Sequence, residues 1–349
     1  MTQALMKFAV DDGSTNVKVS WLDGGKIRSL VSPNSFRKDW KSAALRKDKQ
    51  VYNYTIDGFK YTYDATSDKA LETTHVDYQY DDLNLLAVHH ALLQTGIEPC
   101  PVALVVTLPI TEYYRFEDCQ KNEKNIARKR HNLMRQITLN KGQTFDIVDV
   151  EVMPESLPAV LSTLVNSNCN EFTRSLVIDL GGTTLDMGIV VGEFDEVSAV
   201  YGNNEIGVSM VTNTVRKALA FADSDSSYLV ANELIRRRND DEFVSEVIND
   251  EAQIDMVREK MEAKIHELGK QVVTEAKKFA KNPNRIYLVG GGASLIYPAV
   301  CAAYPSLGER VILIENAQSA LAQEICLYHA DQPETEMSDL PLAEEMSDE

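Results

Sequence analysis

One short hydrophobic pattern occurs twice in this chain. Phe8-Ala-Val-Asp11 is an apolar run ending on a carboxylate, Asp12-Gly-Ser-Thr-Asn16 turns, and Val17-Lys-Val-Ser-Trp21 alternates apolar and polar positions as a half-buried strand does. Further on, Ser175-Leu-Val-Ile178 runs to Asp179, Leu180-Gly-Gly-Thr-Thr184 turns, and Met187-Gly-Ile-Val-Val191 resumes the apolar pattern. Both stretches predict a strand, a carboxylate, a small polar turn and a returning strand. The two carboxylates stand 168 residues apart.

Other elements follow from the same periodicities. Residues 32–77 are rich in tyrosine, lysine and turn residues, and Ile56-Asp-Gly-Phe59 carries an Asp-Gly hairpin signal, so a small β-rich subdomain is expected there. Its aromatics read as a modest core rather than a base-stacking platform. Leu83, Leu86, Ala87, His90 and Ala91 recur at helical spacing over 81–95, and Gly96 ends the run. Val102–Val106 is a continuous buried strand. Phe145–Val152 reads as a further strand, followed by Met153-Pro-Glu-Ser-Leu-Pro158, with Pro158 where the first turn of a helix over 159–164 tolerates it. Residues 210–220 predict a helix with Val211, Val215 and Leu219 on one face, and 222–280 a polar helical subdomain. Arg285–Val289 is a buried strand running into Gly290-Gly-Gly-Ala293.

At 349 residues the chain is long enough for two domains, expected at 1–170 and 171–330, with the insertions near 32–77 and 222–280. Its last 19 residues hold eight acids and no Lys or Arg, which predicts a flexible acidic tail over 331–349. A net charge of −18 argues against direct binding to nucleic acid or to an anionic membrane, so any service to DNA calls for a basic adaptor. No apolar run approaches the roughly 20 residues of a membrane span, and the start lacks a signal-peptide pattern. Five scattered cysteines without a C-x-x-C pair fit reduced thiols, and a cytoplasmic location is expected.

The turns carry the candidate chemistry. Gly181 and Gly182 let successive N–H groups face one side as an anion-binding concavity, Thr183 and Thr184 add hydroxyls, and Asp179 is an oxygen ligand of the kind Mg²⁺ prefers. Phosphate with Mg²⁺ points to a nucleotide; taken alone, the stretch reads equally as an ordinary hairpin. Gly13, Ser14, Thr15 and Asn16 offer similar donors, and Lys18 adds a charge that can reach a phosphate. A nucleotide held between two similar half-molecules needs one such turn from each. Gly290, Gly291 and Gly292 let backbone approach a flat ligand such as adenosine. Glu155 is either a carboxylate orienting water in a cleft or a helix N-terminal acid favoured by the dipole. Lys121, Lys124, Arg128, Lys129, Arg130 and Arg135 form either a solvated helix face or a docking surface for an acidic partner, another copy included. His89 and His90 diverge by about 100° on a helix, which argues against a shared metal.

In this order the motifs resemble the actin/Hsp70/sugar-kinase ATPase superfamily: Phe8–Asn16 its first phosphate motif, Leu176–Thr184 its second, Leu288–Ala293 its adenosine motif. Asp11–Asn16, Ser32-Pro-Asn-Ser-Phe36, Val88–Leu93, Thr107–Tyr114, Val152-Met-Pro-Glu-Ser156 and Leu180–Asp186 are similar to one branch, the ParM (StbA) plasmid-segregation actins, over roughly residues 6–329. The resemblance implies an α/β actin-like fold of two lobes, each with a mixed five-stranded sheet flanked by helices and a smaller subdomain. It implies ATP, or GTP in its place, with Mg²⁺ in the cleft. It also implies a polar two-stranded filament destabilised by hydrolysis and captured by the centromere-binding adaptor ParR. On this basis Asp179 faces Mg²⁺ through waters, with Asp11 assisting at the metal and in catalysis. Glu155 orients the attacking water. Asp12 to Asn16, Lys18 and Gly181 to Thr184 grip phosphates, and Gly290 to Ala293 seat adenosine. The alternatives are a sugar-kinase-like phosphotransferase and a nucleotide-binding regulator that never polymerises.

Overall fold

The computed structural model describes residues 5–42, 50–65, 70–73, 75–167, 169–316 and 319–330. The expected acidic tail, 331–349, lies outside the described residues, as do parts of the 32–77 insertion.

β1 (Met6–Asp12), β2 (Asn16–Asp23) and β3 (Lys26–Pro33) form an antiparallel meander. A small sheet follows with β4 (Phe36–Lys38), β5 (Asn53–Ile56) and β6 (Phe59–Tyr63). Its Asp57-Gly58 turn has φ of 47° and 85°, as a two-residue hairpin of matching twist requires. α1 (Asp82–Gln94) starts where the Asp81 carboxylate accepts from the N–H groups of Leu83 and Asn84. β7 (Pro101–Leu108), α2 (Ile110–Tyr113), α3 (Glu123–Leu133), β8 (Thr138–Leu139) and β9 (Asp146–Pro154) complete the first half, and β8 joins the small sheet. After α4 (Leu161–Val165) the pattern repeats. β10 (Arg174–Leu180), β11 (Leu185–Val191) and β12 (Glu196–Asn203) are a second meander. α5 (Ser209–Phe221), α6 (Tyr228–Arg236), α7 (Asp241–Val247) and α8 (Ile254–Phe279) form the helical part. β13 (Arg285–Val289), α9 (Ala293–Ala303), β14 (Val311–Leu313) and α10 (Ala320–Ala330) follow.

The two large sheets have one topology: β3-β2-β1-β7-β9 and β12-β11-β10-β13-β14, with β1 and β10 at the centres. In each, the central strand pairs antiparallel to its hairpin partner and parallel to the strand that arrives after the helices. Strands covered on both faces read as unbroken apolar runs, which accounts for Val102–Val106 and Leu176–Ile178. On one face Phe8, Val10, Val17 and Val19 pack with Leu85, Leu86 and Leu92 of α1. In the second lobe Leu176, Ile178 and Met187 pack with Val211 and Val215 of α5 and Met261, Ile265 and Leu268 of α8. A third cluster joins the lobes: Ala9, Val105, Ile110, Leu157 and Val160 meet Val177, Val190, Val200 and Val289.

α10, at the end of the expected 171–330 unit, also reaches the first lobe: Leu321 and Ile325 pack in the joining cluster, and Gln323 Nε2 donates to Ser29 Oγ of β3 at 3.1 Å. The basic stretch on and after α3 is largely consumed internally. Lys129 is wholly buried, Arg128 lies 3.9 Å over the Tyr80 ring, Arg130 donates to Val150 O at 2.8 Å, and Arg135 pairs with Asp57 and Asp82 at 2.6 and 2.8 Å. His90 belongs to the small sheet's core, where Tyr54 Oη lies 2.8 Å from its Nδ1 and Tyr63 stacks on its ring.

Candidate active site

Hairpin register sets the site. Asp11 stands opposite Lys18 in β1–β2, and Asp179 opposite Asp186 in β10–β11, so each turn is preceded and followed by a charged residue. The turns meet across the cleft: a Cβ on Gly182 would come within 3.3 Å of Thr15 Cγ2. The second turn is braced from below, because Val208 and Ser209, entering α5, donate to the carbonyls of Gly181 and Gly182 at 3.1 and 2.7 Å. Gly207 makes that brace possible, since a Cβ there would run into the Thr183 backbone at 2.6 Å.

Asp11, Glu155, Asp179 and Asp186 are gathered behind these turns. Lys18 Nζ pairs with Asp11 at 3.0 Å. Burial disfavours the Lys18 charge, yet Asp11, then Glu155 and Asp179, hold its pKa above the usual lysine value. The Asp179 carboxyl is pushed up to about 6 by burial and by Asp11, against the lowering influence of Ser156 and Lys18. Asp186 is pushed up to about 7 by burial and by Asp179, with Thr184 opposing. Glu155 stands well above its ordinary value, through burial and then the fields of Asp11, Asp186, Asp12 and Asp179, and its Oε1 is buried with no partner among the described residues.

Glu155 is also held on strained backbone. Ser156 has φ 71° and ψ −58°, and Leu157 N–H donates to Glu155 O at 2.8 Å. These are the marks of the rare, strained form of the γ-turn, in which a non-glycine residue persists only when its surroundings dictate it. Leu157 supplies that constraint by seating against Gly188, where an added Cβ would lie 2.6 Å from Leu157 Cδ2.

An excess of buried acid with raised pKa values and an unpartnered Oε1 is the donor chemistry that a divalent cation completes. Among the described residues no three acid, His or Cys side chains close on one point as a metal cage.

Family models for the plasmid segregation protein ParM match both halves of the chain, the N-terminal one over residues 6–166 and the C-terminal one over 169–328. The chain belongs to the ParM family. No curated protein matches it by sequence. Among solved structures it is similar to a 15-stranded ParM filament from Clostridium botulinum (TM-score 0.69, 14% identity, covering 94% of this chain and 99% of that one). It is also similar to the archaeal actin homologue Ta0583 in complex with ADP (TM-score 0.66, 16% identity, 93% and 100% covered) and to the actin-like protein Alp7A (0.65, 13%, 92% and 95%). At these identities the likeness carries the fold, and the fold is actin-like.

Within this ParM-family fold, Gly13 to Asn16, Lys18, Gly181 to Thr184, Asp11, Asp179 and Glu155 come together at one cleft. Asp12 does not join them. Successive strand residues face opposite sides, and its carboxylate turns into the first lobe, taking Lys129, Asn84 Nδ2 at 2.7 Å and Thr107 N–H at 3.2 Å. Ala293 is likewise buried in the second lobe's core, so its side chain offers nothing to a ligand. Asp186 was missed as a site residue although alternation along β11 puts it on the same face as Gly188. Ser156 was missed as well, and its positive φ has no sequence signal.

The glycine triplet divides by role. Gly290 has φ 85°, and a Cβ there would overlap Asp179 Oδ1 and lie 2.7 Å from Leu180 O. Gly291 has open space, the position where a ligand can approach backbone. Gly290→Ala is expected to cost at least about 2 kcal/mol of stability, from left-handed strain plus that overlap. Gly291→Ala should stay within about 0.5 kcal/mol. Urea unfolding of the two variants separates them.

Proposed function

We propose that this ParM-family chain binds ATP with Mg²⁺ between its lobes, assembles into a polar filament in that state, and hydrolyses the nucleotide to limit the filament's lifetime. The observation that carries this reading is the pair of touching turns backed by buried, cation-deficient acids. A turn from each lobe grips the phosphates only when both lobes close on them, so nucleotide occupancy sets lobe orientation, and lobe orientation sets which surfaces a second copy meets. Hydrolysis then needs positioning and electrostatics rather than a covalent nucleophile. Mg²⁺, when bound, neutralises phosphate charge, and Asp179 and Asp11 are the residues that would hold it. Lys18 adds charge on the phosphate side. Glu155, fixed by the strained turn at Ser156, orients the attacking water. Gly290 to Gly292 leave room for adenosine on the second lobe.

The family's segregation role brings a partner. With net charge −18 the chain is unsuited to bare DNA, and a basic, ParR-like centromere-binding adaptor supplies the link. No described helix is long and apolar enough to cross a membrane. The resemblance implies two strands, whereas the Clostridium botulinum ParM filament has fifteen.

Sedimentation after addition of Mg²⁺-ATP tests the proposal. The expected result is a pellet that forms with ATP, is absent without nucleotide, and dissolves as ATP is consumed. Protein that stays in the supernatant with ATP demonstrably bound overturns the filament reading in favour of a nucleotide-binding regulator. Phosphate transfer to a sugar would instead place the chain with the phosphotransferases.

A further inference from the structure

Ser32-Pro-Asn-Ser-Phe36 joins the first meander to the small sheet, and nothing in the catalytic reading uses it. At its centre Asn34 captures three successive carbonyls of the first phosphate turn. Its Nδ2 donates to Gly13 O at 3.0 Å and Ser14 O at 2.8 Å, and its backbone N–H donates to Thr15 O at 3.0 Å. Nδ2 also lies 2.9 Å from the hydroxyl of Tyr78, a residue with no exposure at all. The amide orientation is unambiguous, because a flipped amide would set Oδ1 against two carbonyl oxygens. As placed, Oδ1 is shielded from solvent with no partner among the described residues. An orphaned acceptor is unfavourable, and it is tolerated here together with the contacts that Nδ2 makes.

Within a trans peptide the C=O and the following N–H point in opposite directions. Carbonyls of Gly13, Ser14 and Thr15 drawn toward Asn34 therefore send the N–H groups of Ser14, Thr15 and Asn16 the other way. A run of backbone N–H groups turned to one side is an anion-binding concavity. Without the three anchors each peptide plane is free to rotate, and the concavity must be assembled at the moment of binding.

We propose that Asn34 is the positioning residue of the first phosphate turn: it orients the turn's N–H groups toward the phosphates before nucleotide arrives. Because Asn34 precedes β4 and is tied to Tyr78, the same contacts link the phosphate turn to the small sheet. This inference rests on the nucleotide reading above.

The test compares Mg²⁺-ADP with adenosine as ligands for the full chain, Asn34→Ala, Asn34→Asp and Tyr78→Phe. Adenosine lacks the phosphates and so serves as the control for the rest of the cleft. For Asn34→Ala, ADP affinity is expected to fall about ten- to a hundredfold, the loss of one to two charge-assisted hydrogen bonds, while adenosine affinity is unchanged. Asn34→Asp should fall further, because a carboxylate oxygen repels the Gly13 and Ser14 carbonyls. Tyr78→Phe keeps the ring and should show a smaller loss, again for ADP alone. A parallel loss for both ligands in a variant with unaltered circular dichroism and melting temperature overturns the inference, as does no loss for either. If the Asn34 variants do not fold, the selectivity of Tyr78→Phe decides by the same criterion. Failure of the parental chain to bind ADP overturns the nucleotide reading itself, and is thereby distinct.

Discussion

Glu155→Gln is expected to lower ATP turnover by about a hundredfold or more, the scale of a lost positioned proton acceptor, while ATP-driven assembly survives. The substitution is isosteric, so the turn at Ser156 and the seat of Leu157 on Gly188 are retained. What is lost is the carboxylate whose Oε1 is buried with no partner among the described residues and feels the field of the cleft's acids. In the proposed function phosphate binding rests on the two turns and Lys18, none of which Glu155 contacts through a hydrogen bond. Filaments of the variant should form at the parental nucleotide concentration and persist. The measurements are phosphate release and the decay of light scattering after a single addition of ATP. Turnover at the parental rate would remove Glu155 from the mechanism. Glu155→Ala should behave in the same direction, so agreement between the two excludes a peculiarity of the amide.

Lys129→Met is expected to cost about 3–5 kcal/mol, the range for breaking one side of a buried ion pair. Lys129 sits on α3 with no exposure and donates to Asp12, to Gln79 and, at 3.0 Å, to Asn84 Oδ1. Burial pulls its pKa below the usual lysine value and Asp12 pulls it back up, as befits a charge tolerated only for its partner. Removing the ammonium strands the Asp12 carboxylate, itself fully buried, one residue from Asp11. Both tryptophans, Trp21 and Trp40, lie in the first lobe, so fluorescence during urea unfolding reports the affected half. A loss under about 1 kcal/mol would mean that water or neighbouring amides already satisfy Asp12. Asp12→Asn combined with Lys129→Met should regain much of the loss, since a neutral pair leaves no charge buried alone.

Asp12 shows where the pattern of the chain stops being informative. Adjacent carboxylates at the end of a strand must face opposite sides, so period two alone says that one of Asp11 and Asp12 turns to the turn's open side and the other inward. Inward is tolerable only if a cation waits there, and that cation comes from a helix 117 residues further on. Lys129 in turn reads as one member of a solvated basic face, because nothing local distinguishes it from Lys124 or Arg128.

The hairpins, by contrast, were legible throughout. Apolar runs that end on a carboxylate, small residues in the turn and alternation on return are local rules, and occurring twice they define an α/β chain with a repeated half. The Asp-Gly turn of the small sheet and the Asp81 cap of α1 are local in the same sense. Strand order, the contact of α10 with the first lobe, the strained φ of Ser156 and the capture of three carbonyls by Asn34 are not. Each depends on which distant surface is left to be covered, or on a hydrogen bond whose donor and acceptor are separated by a whole element. The chain alone thus determined which groups are candidates for gripping phosphate and holding a cation. Only the tertiary structure decided which of them face one another, because burial and peptide-plane orientation are set by contacts that no local pattern records.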